Sequence, residues 1–150
     1  MLKNALGATH PLVGMSLNNL ALVYQTEGRI TDAEPLFKRA TAIAETAFGG
    51  DNRHLGESLN NLAELYRGQG RLAEAEPLDK RALAIYDKRQ CPENVGVTTA
   101  LNNLALLYQA QSRMAEAEPL LTRAIAIIEK VRGPDHPDTI KVLNNLASLY

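Results

Sequence analysis

The chain has one cysteine and no tryptophan in 150 residues. Cys91 therefore cannot close an internal disulfide, and with no second cysteine or tight histidine cluster beside it there is nothing to build a zinc site. An excess of charge is also missing: the formal net charge is −1 at pH 7. Neutralising phosphates takes a basic surface, so nucleic acid is not the expected partner. No apolar run approaches the roughly 18 residues that cross a bilayer, and the start Met1-Leu2-Lys3 lacks the apolar stretch of a secretory signal. No membrane partner is expected, and the expected location is the cytoplasm. Hydrophobic residues nevertheless make up 45% of the chain with charges in balance, a composition that collapses rather than staying disordered.

Comparing the chain with itself decides the architecture. Leu17-Asn18-Asn19-Leu20-Ala21-Leu22-Val23-Tyr24 recurs, with small changes, as 59–66, 101–108 and 143–150, each step being 42 residues. Asp32-Ala33-Glu34-Pro35-Leu36 recurs in register as 74–78 and 116–120, followed each time by Arg-Ala at Arg39, Arg81 and Arg123. Leu17, Leu20, Ala21 and Tyr24 form one stripe at helical spacing, helix A, and Ala33, Leu36, Phe37, Ala40 and Ile43 form another, helix B. Gly28 and Gly70 supply a stop between them, a place taken by Ser112 in the third copy. Before each A helix stands a capping column of His10, Asn52, Asn94 and His136. Pro35, Pro77 and Pro119 lie within about a turn of the start of B, where amides lack an intrahelical acceptor anyway. The spacing predicts A helices at 11–27, 53–69 and 95–111 and from 137, B helices at 30–48, 72–90 and 114–132, and no sheet.

Leu-Asn-Asn-Leu-Ala, Glu-Ala-Glu-Pro-Leu, Arg-Ala and Gly133-Pro134-Asp135-His136-Pro137 at this period resemble kinesin light chain-type tetratricopeptide repeats. The resemblance covers essentially the whole chain. It implies an all-α, right-handed solenoid of antiparallel helix pairs, about three and a half repeats long, binding peptides or protein surfaces on a concave side lined by the A helices. One array is expected over 1–150: 1–10 as the tail of a preceding repeat, repeats at 11–52, 53–94 and 95–136, and helix A of a truncated repeat at 137–150. Met1 to Gly7 aligns with the B-helix tail at 127–133, so the chain is expected to be a piece of a longer array or to cover its ends by self-association as a homo-oligomer. Two departures stand out. Asp79 occupies the place of Phe37 and Leu121 in the B-helix core, and Cys91-Pro92-Glu93-Asn94-Val95 replaces the Gly-Pro-Asp-His-Pro turn.

Catalysis needs converging titratable groups, and His10, His54 and His136 are scattered through turns with no second histidine at i+3 or i+4. No enzyme activity, cofactor or metal is expected. Glu34 with Lys38 and Glu76 with Lys80 read as exposed i,i+4 pairs, and the arginine columns as solvated ion-pair networks. The asparagines are different, because asparagine is a poor helix former and the core does not require it. A carboxamide offers both the donor and the acceptor that an extended backbone pairs with. Columns repeating every 8 to 10 Å match roughly three residues of an extended ligand. The candidate peptide-binding residues are Asn18, Asn19, Asn60, Asn61, Asn102, Asn103, Asn144 and Asn145, with Leu22, Glu64, Arg67 and Leu106. The alternative is that the amides fix repeat stacking, or that one of each pair does so while the other meets ligand. Only Arg67 and Lys141 bring positive charge to this face, so backbone hydrogen bonds and small apolar contacts are expected to dominate binding. The leading functional expectation is a non-catalytic module binding a protein or peptide. Its alternatives are a scaffold segment self-associating through open ends and a sensor or regulatory array of a larger signalling protein.

Overall fold

The computed structural model describes residues 7–50, 52–88 and 95–150, without the side chains of Phe48 and Val95. The expected B-helix tail at 1–6, the cap at Asn94 and the turn around Cys91 lie outside the described residues. Seven helices and no strand occur among the described residues: α1 Pro11–Thr26, α2 Ile30–Phe48, α3 Arg53–Gly68, α4 Leu72–Lys88, α5 Val95–Ala110, α6 Met114–Arg132 and α7 Pro137–Ala147. They pack as hairpins α1/α2, α3/α4 and α5/α6, each laid on the next through α2/α3, α4/α5 and α6/α7. The A helices also touch across the hairpins, α1 on α3 and α3 on α5, which makes one continuous A-helix face.

The capping column behaves as its chemistry dictates. The Asn52 side chain accepts from the Leu55 amide at 2.8 Å, and the His10 and His136 rings accept from Leu12 and Asp138 at 3.2 and 3.1 Å. Each removes one amide from the unpaired set at a helix start. Within each hairpin the chain reverses over three residues, closed by Arg29, Arg71 and Arg113 amides donating to the Tyr24, Tyr66 and Tyr108 carbonyls at 2.8 to 2.9 Å. This closure places the middle residue in the left-handed region, at φ 77° for Gly28, 73° for Gly70 and 60° for Ser112. The Cβ of Ser112 costs about 1–2 kcal/mol there, partly offset by the extra freedom glycine loses on folding. Ser112→Gly is accordingly expected to stabilise the chain by about 0.5–1 kcal/mol in a urea melt.

The three prolines sit inside α2, α4 and α6. All three are exposed, as is the residue four before each of them, so water reaches the carbonyl left without a donor. The core is a seam of small residues, Ala21, Ala33, Ala63, Ala75, Ala105 and Ala117, every one fully buried. Between them lie the fully buried Phe37, Leu101 and Leu121, with Leu59 nearly so. Alanine at these contacts lets the hairpins approach closely.

The expected leucine stripe needs one correction. Leu62 and Leu104 are 5% and 4% exposed but their register mate Leu20 is 42% exposed, and Leu59 and Leu101 are 1% and 0% exposed but their register mate Leu143 is 38% exposed. The stripe is covered by an adjoining repeat, and the first and last described A helices have such a neighbour on one side only.

Candidate functional site

Consecutive repeats are fastened on one edge by a charge clamp that the sequence reading placed in solvent. Arg71 donates to Glu34 of the preceding repeat at 2.9 Å and to Glu74 of its own at 2.7 Å, and Arg113 does the same to Glu76 and Glu116. Each guanidinium also lies over a tyrosine, Arg71 on Tyr66 and Arg113 on Tyr108, both 4.1 Å from the ring centre. Arg71 and Lys38 together hold the Glu34 carboxyl down at about 2, well below the usual carboxylate range. Glu34 and Glu76 form the expected i,i+4 pairs with Lys38 and Lys80, at 2.7 and 2.6 Å, but they are part-buried rather than exposed and serve as inter-repeat fasteners as well. The spacing of five from tyrosine to arginine in each repeat signals the ring contact, though not the acid one repeat back.

On the A-helix face the asparagines form rungs between repeats. Asn61 Nδ2 donates to Asn18 Oδ1 at 3.1 Å, and Asn145 Nδ2 donates to Asn102 Oδ1 at 2.7 Å. Each rung joins the first asparagine of one repeat to the second of the next, so both columns take part in stacking. In each pair one asparagine holds a rung (Asn18, Asn61, Asn102 and Asn145) and its neighbour does not, the alternative in which one amide per pair fixes the stacking; which member does so alternates from repeat to repeat, with first-column oxygens accepting from second-column nitrogens. The middle rung, Asn103 to Asn60, is open, and the buried Asn60 Oδ1 has no hydrogen-bond partner. At that seam Arg67 Nη1 reaches across from α3 to the Asn103 main-chain oxygen on α5 at 3.3 Å.

Most of the expected site residues lie along clefts on this face. Glu64, Arg67, Asn102, Asn103 and Leu106 line a cleft of about 440 Å³ between α3, α5 and α7, together with Thr98, Asp138 and Lys141. Asn60 and Asn61 line a smaller one of about 250 Å³ bordered by Tyr86 and Gly96, and Asn18 and Asn19 a third of about 120 Å³. Leu22 packs against the core, Asn145 is taken up in its rung, and Asn144 is exposed. Sequence reasoning passed over Thr98, which borders the large cleft and whose buried hydroxyl has no hydrogen-bond partner, and Asp138 on its far wall. The large cleft thus carries two cations and two anions, a mixed surface rather than a basic one.

Beneath it lies Asp79, fully buried as its register predicted. Neither carboxyl oxygen has a hydrogen-bond partner, and the nearest charge is Arg67, its Nε 3.7 Å from Oδ2. Burial pushes this carboxyl up to about 7, against a smaller downward pull from Arg67 and a slight upward push from Glu64.

Among the described residues no group of three histidine, cysteine, aspartate or glutamate side chains converges to hold a metal, and no helix is long and apolar enough to cross a membrane.

A tandem helical hairpin with a grooved A-helix face is the form of a repeat solenoid, and the tetratricopeptide repeat family model matches residues 2–46, 12–88 and 96–150. The chain belongs to that family, whose repeats generally serve as protein-interaction modules. Similar solved structures include the nearly identical TPR-like repeats of a Podosopora anserina protein described as a kinesin light chain, at TM-score 0.85 and 29% identity, covering 94% of this chain and 67% of that one. A point-substituted form of that protein matches at 28% identity and TM-score 0.85, covering 94% and 66%. BtubC (BKLC) from P. vanneervenii shares the fold at TM-score 0.85 and 24% identity, covering 94% and 57%. The chain therefore spans about two thirds of the first two solved chains. No curated protein matches it.

Proposed function

We propose that the A-helix face between α3, α5 and α7 binds an extended polypeptide segment of another protein, without catalysis. The observation that carries this reading is the open middle rung. Where the neighbouring seams spend an asparagine donor on an asparagine acceptor, this one leaves the Asn60 oxygen and the Thr98 hydroxyl unpartnered beside clefts of about 250 and 440 Å³. Buried polar atoms are costly to leave unpaired, so a ligand backbone offering a donor and an acceptor at this seam would gain more than at the closed ones. The opposed charges, Arg67 and Lys141 against Glu64 and Asp138, favour polar and backbone recognition over a strongly acidic or basic ligand.

In this reading the chain is one array, with repeats at 11–52, 53–94 and 95–136 and a further A helix from 137, and its partner is a protein rather than nucleic acid or membrane.

The test uses a displayed library of random twelve-residue peptides. Sequences selected on the wild-type chain are titrated against Asn103→Ala/Lys141→Ala, a pair that leaves the main-chain acceptor of Arg67 and both closed rungs intact. Selected peptides are expected to lose about tenfold or more in affinity, the equivalent of about 1.4 kcal/mol. Equal affinity for both proteins, with unchanged circular dichroism, would move the binding surface elsewhere.

A further inference from the structure

The second repeat departs from its neighbours at three positions that converge. Glu64 stands where the others have Leu22 and Leu106, Arg67 where they have Gln25 and Gln109, and Asp79 where they have Phe37 and Leu121. Folding brings Glu64 and Arg67 to the wall of the groove and Asp79 beneath it. Arg67 has two competing partners there. Its Nη1 holds the Asn103 carbonyl of α5 at 3.3 Å, while its buried Nε, without a hydrogen-bond partner, faces Asp79 Oδ2 at 3.7 Å, just beyond a direct bond. Its side chain is 13% exposed and that of Asp79 is 0% exposed, so the pair is largely shut off from water.

We propose that Asp79 is a protonation-controlled latch on Arg67. With the carboxyl protonated the guanidinium spans the α3/α5 seam to Asn103, and with it ionised the guanidinium turns down onto Asp79, releases α5 and withdraws its charge from the groove. The regulatory meaning of this movement rests on the groove being the binding face.

Three observations support it. An ionised carboxylate with no hydrogen-bond partner in a buried site is strongly unfavourable, and a guanidinium already 3.7 Å away is the nearest group able to relieve it. The bond to the Asn103 carbonyl carries a charge on its donor alone, whereas one to an ionised Asp79 joins opposite charges, so the preference of Arg67 shifts to Asp79 when the carboxyl ionises. Finally, little else contests the pair. Of the helices packed on α4, α3 presents Arg67 and Glu64 to the carboxyl. The other, α5, has no acidic or basic residue, and its titratable Tyr108 is engaged with Arg113 and Lys80. Burial lifts the carboxyl to about 7, which puts the transition in the neutral range.

The experiment is a pH titration of the whole chain by NMR, following the Asp79 carboxyl carbon and the Arg67 Nε–Hε pair, with Asp79→Asn as the comparison. Both wild-type signals are expected to share one midpoint, at least about two pH units above the exposed carboxylates of the same chain. The asparagine variant is expected to lose the Arg67 inflection and hold Arg67 on Asn103 throughout. The latch is overturned if Asp79 titrates with the exposed carboxylates, or if Arg67 does not respond while Asp79 titrates. Should the variant fold poorly, the wild-type co-titration decides alone. No ligand enters the measurement, so its failure leaves the groove to the peptide test, and failure of the peptide test leaves the coupling of the two side chains standing.

Discussion

Replacing Arg67 and Asp79 together, as Arg67→Gln/Asp79→Leu, is expected to raise the stability of the chain by about 2–4 kcal/mol at pH 8, because a buried ion pair rarely repays its desolvation as well as matched apolar packing does. The substitutions copy what the other repeats carry at these places, Gln25 and Gln109 and Phe37 and Leu121, so the space is of a size a leucine fills. Asp79→Leu alone is expected to give about 1–3 kcal/mol, since Arg67 loses its carboxylate but keeps the Asn103 carbonyl.

The pH dependence carries the distinctive sign. The folded carboxyl is raised from 3.8 to about 7, so the native state binds the proton more tightly than the unfolded chain. Stability from this group is complete below about 4 and is lost as the pH climbs through 7. The advantage of the double variant is therefore small at pH 4, widens to pH 7 and is level above it, up to a ceiling of about 4 kcal/mol at 1.36 kcal/mol per pH unit. Glu34 and the other carboxylates with lowered values titrate in both proteins and cancel in the difference. Parallel urea melts at pH 4.5 and 8 measure it, and an equal gap at both pH values would refute the buried acid as its source.

The second large effect concerns Tyr86, which is 2% exposed and fills a socket that the other repeats close with Ala44 and Ile128. Its ring is held between two glycines. A Cβ on Gly56 would come within 2.9 Å of the ring, and one on Gly96 within 2.7 Å. Both approaches are closer than packed atoms allow, so the ring fits because this repeat and the next each present a glycine to it. Tyr86→Ala is expected to cost about 3–5 kcal/mol through the cavity it leaves, and Gly56→Ala about 1–3 kcal/mol through overpacking. In a Tyr86→Ile background, however, Gly56→Ala is expected to change sign and stabilise by about 0.5–1 kcal/mol, because the clash is gone and alanine is the better helix former. A double-mutant cycle by thermal or urea unfolding reads this coupling directly, and additive effects would mean that ring and glycines do not share the socket.

How far the sequence reached differs between these features. The repeat period, the helix limits to within one or two residues and the capping by His10, Asn52 and His136 follow from local rules of spacing and hydrogen-bond chemistry. Ser112 in a left-handed turn was legible for the same reason, since its two register mates are glycines. The burial of Asp79 could be read because a stripe at helical spacing points the same way in every repeat. The clamp of Arg71 on Glu34 spans 37 residues, and no local pattern shows that an arginine already paired with the acid three residues on will also hold one a repeat back.

The site shows the same division. The amino-acid sequence by itself determined that this is an array of helical hairpins with asparagine columns on its A helices, because period and amphipathicity are properties of each repeat alone. Only the tertiary structure decided that both columns share in the ladder, that its middle rung is open, and that Glu64, Arg67 and Asp79 meet at one cleft. Those outcomes depend on distances between side chains of different hairpins, where a shift of an ångström separates a hydrogen bond from an unpaired atom, and that distance is set by the packing of buried alanines and leucines rather than by the polar residues themselves.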